Sequence, residues 1–263
     1  MLATKLLRIN SKYRTPNSAS CADFSVNIDS RDCENISQCV LLSATIPRMF
    51  GNVYAPNNEL NCVYGTAPNP QQTLTFQINP GLYTAATLAA EIDRVVNAEF
   101  SFIRVRFDEV RQRIHFVTTD PPADFALDVI ADSGLAAIAG ISSTLITTFQ
   151  PDAFAQSPPA LQGPTQLYIE SQFIGNRACL DILENGASIP LFNVIPCALV
   201  PSGFDITYQA TNVDGWAIDY DVESTGLANL RTVDIRITDT YGYVLPIPAN
   251  QHSDFVFKLY RRV

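Results

Sequence analysis

The sequence predicts an all-β protein, a two-sheet sandwich interrupted by a small α+β segment. Three observations carry this. First, the chain closes on two stretches of strict alternation. Val233, Ile235 and Ile237 stand against Thr232, Asp234, Arg236 and Thr238; then Phe255, Phe257 and Leu259 stand against Val256, Lys258 and Tyr260. Side chains on a strand alternate faces, so period two marks a sheet with one buried face. Second, about eight such strands recur along the chain, separated by Pro/Gly turns and without an internal repeat, which is the pattern of two packed sheets. Third, one stretch alone has a convincing helical period, and it lies in the middle of the chain.

Taken in order, Lys5–Ile9 reads as a short strand and Ala22–Ile28 as one with Phe24, Val26 and Ile28 inward. Cys39–Ile46 is apolar on both faces, which places it centrally, and Pro47 ends it. Leu60–Tyr64 and Thr73–Ile78 follow. Pro80-Gly81 breaks the alternation. From Thr84 to about Ala98, residues Ala85, Leu88, Ile92, Val95 and Val96 share one helical face. A hairpin follows, with Ile103, Val105 and Phe107 on one arm and Ile114 and Phe116 on the other, then a short helix over Ser133–Ile141. Strands resume after the Pro/Ala/Gln-rich stretch Pro151–Pro164: Leu167–Phe173, Leu191–Ile195, Phe204–Tyr208 and the two closing strands. The expected division is residues 1–79 for the first part of the sandwich, 80–150 for the insertion, and 151–263 for the linker and second part. The closing strand is expected beside Phe24–Ile28, since the last strand of such folds pairs beside the first.

The 263 residues are 47% hydrophobic and only 16% charged, against a typical charged share of about 25%. So little charge suits a chain that buries surface in an assembly. The net charge is −9 and the pI about 4.6. That excludes the Lys/Arg surplus of a main genome-binding protein and the polybasic surface of an acidic-membrane binder. The segment Met1–Arg8 is too short and too charged for a signal peptide. The charge-free runs Ser133–Pro151 and Asn185–Phe204 are broken by Ser/Thr and by prolines, so neither reads as a membrane span. Cys21, Cys33, Cys39, Cys62, Cys179 and Cys197 contain no Cys-x-x-Cys pair and are expected reduced, as small hydrophobes.

No catalytic or cofactor motif is present: no Gly-x-Ser-x-Gly, no His-Glu-x-x-His, no Walker loop and no dinucleotide-binding glycine pattern. The two histidines are His115, on a strand between apolar neighbours, and His252, in a turn beside Ser253 and Asp254. Three adjacent residues do not make a triad, because triads assemble from separated positions. The acidic loop Asp214, Asp219, Asp221 and Glu223 around Trp216 is the one candidate for calcium or a stacked sugar. Its spacing is not that of an EF-hand, and a solvated loop is the plainer reading. Arg104, Arg106, Arg111 and Arg113 lie across the hairpin with Asp108 and Glu109, which favours ion pairing over nucleic-acid contact. The expectation is therefore a non-enzyme with no catalytic residue, metal or cofactor.

Several stretches, in order along most of the chain, resemble the penton (minor capsid) proteins of virophages and polinton-like viruses, relatives of the adenovirus lineage. They are Ile9-Asn10-Ser11 with Arg14 and then Phe24-Ser25-Val26; Ala44-Thr45-Ile46-Pro47 with Phe50-Gly51-Asn52-Val53; Ile78-Asn79-Pro80-Gly81-Leu82-Tyr83-Thr84 leading into Leu88; and Ile235-Arg236-Ile237-Thr238-Asp239 before Gly242. Gly51 stands where that family's turn would carry a tyrosine. The resemblance implies a single jelly roll carrying an inserted domain. It implies a homopentamer at the icosahedral five-fold vertex of the virion, beside a double-jelly-roll major capsid protein and under a vertex spike or fibre. The alternative is a carbohydrate- or receptor-binding jelly-roll domain of a virion. On the penton reading, Lys258, Arg261 and Arg262 are the candidate interface residues, an outward basic run facing the acidic surface of a neighbouring copy.

Overall fold

The structure is a computed structural model that describes residues 2–29, 36–55, 57–66, 72–130, 134–142, 144–147, 152–171, 180–182, 188–210 and 231–262. In chain order the elements are β1 (Leu2–Asn10), a 3-10 turn (Ser11–Tyr13), β2 (Asp23–Asn27), β3 (Ile36–Pro47), β4 (Glu59–Thr66) and β5 (Gln72–Gln77). Then come α1 (Ala85–Glu99), β6 (Ile103–Asp108), β7 (Arg113–Thr118), β8 (Phe125–Val129), α2 (Gly134–Ala139), β9 (Thr144–Thr147) and β10 (Asp152–Phe154). The chain finishes with β11 (Gln166–Glu170), β12 (Leu180–Ile182), β13 (Ser188–Pro196), β14 (Asp205–Gln209), β15 (Thr232–Thr238) and β16 (Asp254–Arg262). They form two compact units, one of residues 1–50 and 164–263, the other of residues 51–163.

The first unit is a jelly roll. Its sheets run β1-β16-β3-β14 and β12-β13-β11-β15-β2, every pair antiparallel. With the short β12 set aside, the strands of this unit taken in chain order pair as first-eighth-third-sixth and second-seventh-fourth-fifth. That interleaving is the double Greek key of a jelly-roll sandwich. Alternation supplies the filling: Ile9, Phe24, Ile46, Leu167, Ile169, Phe192, Ile206, Val233, Ile235, Ile237, Phe255, Phe257 and Leu259 are all buried. Rings meet across the two sheets, Phe24 with Phe255 at 6.4 Å and Phe192 with Phe257 at 5.5 Å between centroids.

The closing strand does not lie beside Phe24–Ile28. β16 pairs with β1 on one side and β3 on the other, while β2 pairs with β15 in the opposite sheet. The last strand does pair beside the first, but the first strand is β1. Residues Leu2–Thr4 lack alternation in the sequence, and the long partner β16 recruits them into the ladder. Backbone pairing, which needs no side-chain pattern, extends the strand beyond its hydrophobic part.

The second unit is wider than the expected 80–150. It begins at Gly51 and ends at Gly163, because β4 pairs with β5 and β8, and β8 with β9, in the sheet β5-β4-β8-β9 and not in the jelly-roll sheets. A second sheet, β10-β7-β6, lies within the same unit and draws in Asp152–Phe154 from the stretch read as linker. α1 buries Leu88, Ala89, Ile92 and Val96, with Leu60, Phe76, Ile103, Phe116 and Leu127 in the same core. Thr84 caps the helix: its hydroxyl accepts the Thr87 amide N–H while the Thr87 hydroxyl accepts the Thr84 N–H, a reciprocal box.

Two of the motif stretches meet inside this unit. Val53 and Gly81 form an antiparallel bridge. The buried Asn52 amide donates to the carbonyls of Tyr83 (2.8 Å) and Leu161 (3.1 Å), and its oxygen accepts the Tyr83 N–H at 2.8 Å. A Cβ on Gly51 would lie 2.0 Å from the Gly81 carbonyl oxygen. Backbone cannot yield cheaply there, so no tyrosine fits at position 51 in this chain.

Both crossing points between the units are fixed, on the jelly-roll side, at Cys197. The Arg48 guanidinium donates to the Cys197 carbonyl, the Cys197 thiol to the Pro164 carbonyl (3.0 Å), and the Cys197 N–H to the Thr165 carbonyl (2.9 Å). Burial pushes the Cys197 thiol up to about 11 and the Cys62 thiol to about 12, which leaves both unreactive. Cys21, Cys62 and Cys197 are free and buried, and Cys39 is buried; Cys33 and Cys179 lie outside the described residues.

Replacing residues 51–163 by a short Gly/Ser linker should leave a folded β protein with a cooperative melt and no helical circular-dichroism signal, since the two ends are already held at one residue. An uncooperative or insoluble product would contradict this. Phe257→Ala should cost about 3–5 kcal/mol in urea unfolding, whereas Lys258→Ser, on the opposite face of the same strand, should stay within about 0.5 kcal/mol. Equal stabilities for the two variants would overturn the assigned faces.

Candidate functional site

Of the expected interface residues, Lys258 lies on the outer face of the β1-β16-β3-β14 sheet, and Arg261 and Arg262 follow it in β16. Core residues Phe255, Phe257 and Leu259 point inward, so Asp254, Val256, Lys258 and Tyr260 point outward. The register sets Lys258 between Leu6 and Val40, and Tyr260 opposite Thr4. The Lys258 ammonium lies 4.8 Å from the centre of the Tyr260 ring, a cation–π contact. Arg8 donates to both oxygens of Asp254 at 2.9 and 3.0 Å, and Asn10 donates to the same carboxylate at 3.3 Å. Asp254 thereby favours the charged form of Arg8. Arg261 is in register with Ala3 and Arg262 with Leu2. Their side chains lie outside what the structure describes.

Folding concentrates charge here. Residues 1–22 contain Lys5, Arg8, Lys12 and Arg14 and no Asp or Glu, and β16 adds Lys258, Arg261 and Arg262 against Asp254 alone. All three lysines of the chain fall in these segments. The rest of the chain carries ten basic and twenty-five acidic residues. The sequence shows both ends to be basic; only the pairing of β1 with β16 lays them side by side.

The other sheet carries a buried carboxylate that sequence reading missed. Glu170 sits opposite Arg236 on the side of β15 away from the core, yet it is only 3% exposed. The Thr238 hydroxyl donates to it, and Arg236 approaches its other oxygen at 3.5 Å. Burial pushes the Glu170 carboxyl above the ordinary carboxylate range, although the Thr238 bond and the Arg236 charge pull it part of the way back. Alternation marks position 170 as outward and therefore wet; what covers it is tertiary.

Three of the four hairpin arginines are engaged within the second unit. Arg104 pairs with Asp93 at 3.1 Å and Arg111 with Asp108 at 3.4 Å. Arg106 donates to His115 Nδ1 at 3.1 Å, so the ring proton sits on Nε2, which reaches Asp152 at 3.0 Å. His115 faces the neighbouring strand β10 and not solvent. It is buried, stacked on Phe154 at 3.9 Å, with the Arg111 guanidinium 4.3 Å from the same ring. β10 covers it, and that three-residue strand lay hidden in the Pro-rich stretch. In the turn, Asp254 is taken up by Arg8 and Asn10, while the Ser253 hydroxyl and His252 Nδ1 have no hydrogen-bond partner among the described residues. Trp216 with Asp214, Asp219, Asp221 and Glu223 lies outside the described residues. Among the described residues no group of three or more His, Cys, Asp or Glu is placed to hold a metal, and no helix is long and apolar enough to cross a membrane.

The geometry thus defines an all-β jelly-roll protein with one strongly basic sheet edge. No family model matches the sequence, and no curated protein matches it. Among solved structures, the crystal structure of the mavirus penton protein aligns with 99% of this chain and 100% of its own, at 9% sequence identity and a TM-score of 0.47.

Because the Glu170 carboxyl is raised, the folded state favours its neutral form. Its contribution to stability is complete below the ordinary carboxylate range and is lost as pH rises through the raised value. Wild-type stability should therefore fall relative to Glu170→Gln as pH rises above the ordinary carboxylate range in urea titrations. Parallel pH profiles for the two proteins would contradict the assignment.

Proposed function

We propose that this chain is a structural capsid protein, a penton that forms homopentamers at the five-fold vertices of a virion and works by self-association. The observation that carries the reading is a jelly roll that bears a compact unit between its third and fourth strands, with penton-like motifs flanking the crossing. Phe50-Gly51-Asn52-Val53 and the Asn79–Thr84 turn are distant in sequence, yet they bridge through Val53 and Gly81 and through Asn52. The low charge of the chain supports the same reading, since a shell subunit buries much of its surface. Its partners are its own copies, a double-jelly-roll major capsid protein, and a spike or fibre at the vertex. Lys258, Arg261 and Arg262 contribute to the contact between copies by facing a neighbour's acidic surface.

Negative-stain images and light scattering of the purified protein should show five-membered rings. Monomers at every concentration and salt would refute the reading. Lys258→Ser with Arg261→Ser should leave the melting temperature of the isolated subunit within a few degrees and reduce ring recovery, most visibly at raised ionic strength, where the remaining charge contacts are screened. Ring recovery equal to wild type across salt would remove these residues from the contact.

A further inference from the structure

We infer that copies of this chain associate head-to-tail through the two opposite ends of one sheet. The basic β1/β16 edge of one copy meets the apolar corner where β14 begins in the next. The inference rests on the self-association proposed above and names the two halves of the contact.

The first half is the edge described already. Strands β1 and β16 carry Lys5, Arg8, Lys258, Arg261 and Arg262 with a single acid, Asp254, and Leu6 stands on β1 64% exposed. Two such edges set against each other would bring like charges together, which disfavours an isologous contact. The complementary surface must lie elsewhere, and the rest of the chain is strongly acidic.

The second half is at the far side of the same sheet, where β14 is the last strand among the described residues. Met49, Leu199 and Phe204 are 45%, 96% and 65% exposed there. They are held close by one buried side chain. Arg48 is 7% exposed, and its guanidinium donates to the carbonyls of Cys197 and Val200. Its backbone N–H donates to the Phe204 carbonyl (3.0 Å) and its carbonyl accepts the Gly203 N–H (2.8 Å). Gly203 takes φ +89°, a left-handed turn that glycine makes without strain. The loop that presents Leu199 and Phe204 is therefore pinned on both of its arms, so their exposure is built into the fold. An exposed apolar group of this kind marks a contact surface. Asp205, exposed and next to Phe204, puts a negative charge beside it. One end of the sheet thus offers cations around an exposed leucine, and the other offers apolar side chains with a carboxylate. The two ends match each other, and neither matches itself. A head-to-tail contact of this kind closes into a ring when the rotation per copy permits.

The test uses the full chain and two variants. Lys5→Glu with Lys258→Glu sharply lowers the positive charge of the basic edge; Leu199→Asp with Phe204→Asp charges the apolar corner. Thermal melts establish that each is folded, and if the second fails to fold, Leu199→Asp alone replaces it. Oligomer mass is read by light scattering at low salt. Wild type should form rings, each variant alone should be monomeric with association weakened at least tenfold, and an equimolar mixture should give a heterodimer, because the pair retains one intact edge and one intact corner. A mixture that stays monomeric while wild type forms rings overturns the inference, and so does a variant that still forms full rings. Affinity for a labelled oligonucleotide that is lost in Lys5→Glu/Lys258→Glu while rings persist would assign the edge to a polyanion and also overturn it. Wild type that is monomeric under all conditions refutes the underlying reading of self-association, which separates that failure from this one.

Discussion

The seating of β16 between β1 and β3 is the constraint on which the rest of the jelly roll depends. Both of its edges are hydrogen-bonded, and its inward face supplies Phe255, Phe257 and Leu259 to the core. A strand fixed on three sides has one register, because a slip by one residue would turn Phe255 and Phe257 outward and Lys258 inward. The chain cannot complete this sheet until its last residues arrive, so every contact in it is long-range. The same pairing decides the surface: with the inward positions fixed, Lys258 and Tyr260 have to face out beside Leu6 and Thr4.

The insertion depends on a second economy of geometry. A jelly roll can carry a large unit between its third and fourth strands only if departure and return are close together. Arg48, Pro164 and Thr165 all bond to Cys197, which fixes departure and return at one place. The carried unit has its own core, with α1, β4, β6, β7 and β8 contributing. Its loops are joined by Asn52, whose amide and carbonyl satisfy three backbone groups that burial would otherwise leave unpaired. At Gly51 the absence of a side chain follows from the Gly81 carbonyl behind it.

Charge is distributed unevenly for a reason that is partly topological. A chain of net charge −9 has no obvious basic face when read along its length. Its two basic segments are its two ends, more than two hundred residues apart, and the antiparallel pair of β1 and β16 lays them side by side. Glu170 shows the reverse effect: a residue whose alternation says outward is covered in the fold, and its carboxyl is driven toward the neutral form.

The sequence by itself determined which residues face the core in the strands of clean alternation, among them Phe24, Val233, Ile235, Ile237, Phe255, Phe257 and Leu259, where α1 starts and which of its faces is buried, that a compact unit interrupts the sandwich, and that the overall charge is acidic. These are local properties, set by period two, period 3.6, Pro/Gly breaks and composition, and they survive reading residue by residue. Tertiary structure decided the rest. It placed β16 beside β1 and not beside Phe24–Ile28, extended the inserted unit to residues 51–163 by pairing β4 with β8, and brought β10 over His115. It also gathered the basic ends onto one edge and pinned Leu199 and Phe204 in the open around Arg48. Alternation says which face of a strand is wet or dry but not which strand lies next to it; that choice is made by backbone pairing between distant residues, whose hydrogen-bonding groups are the same in every sequence.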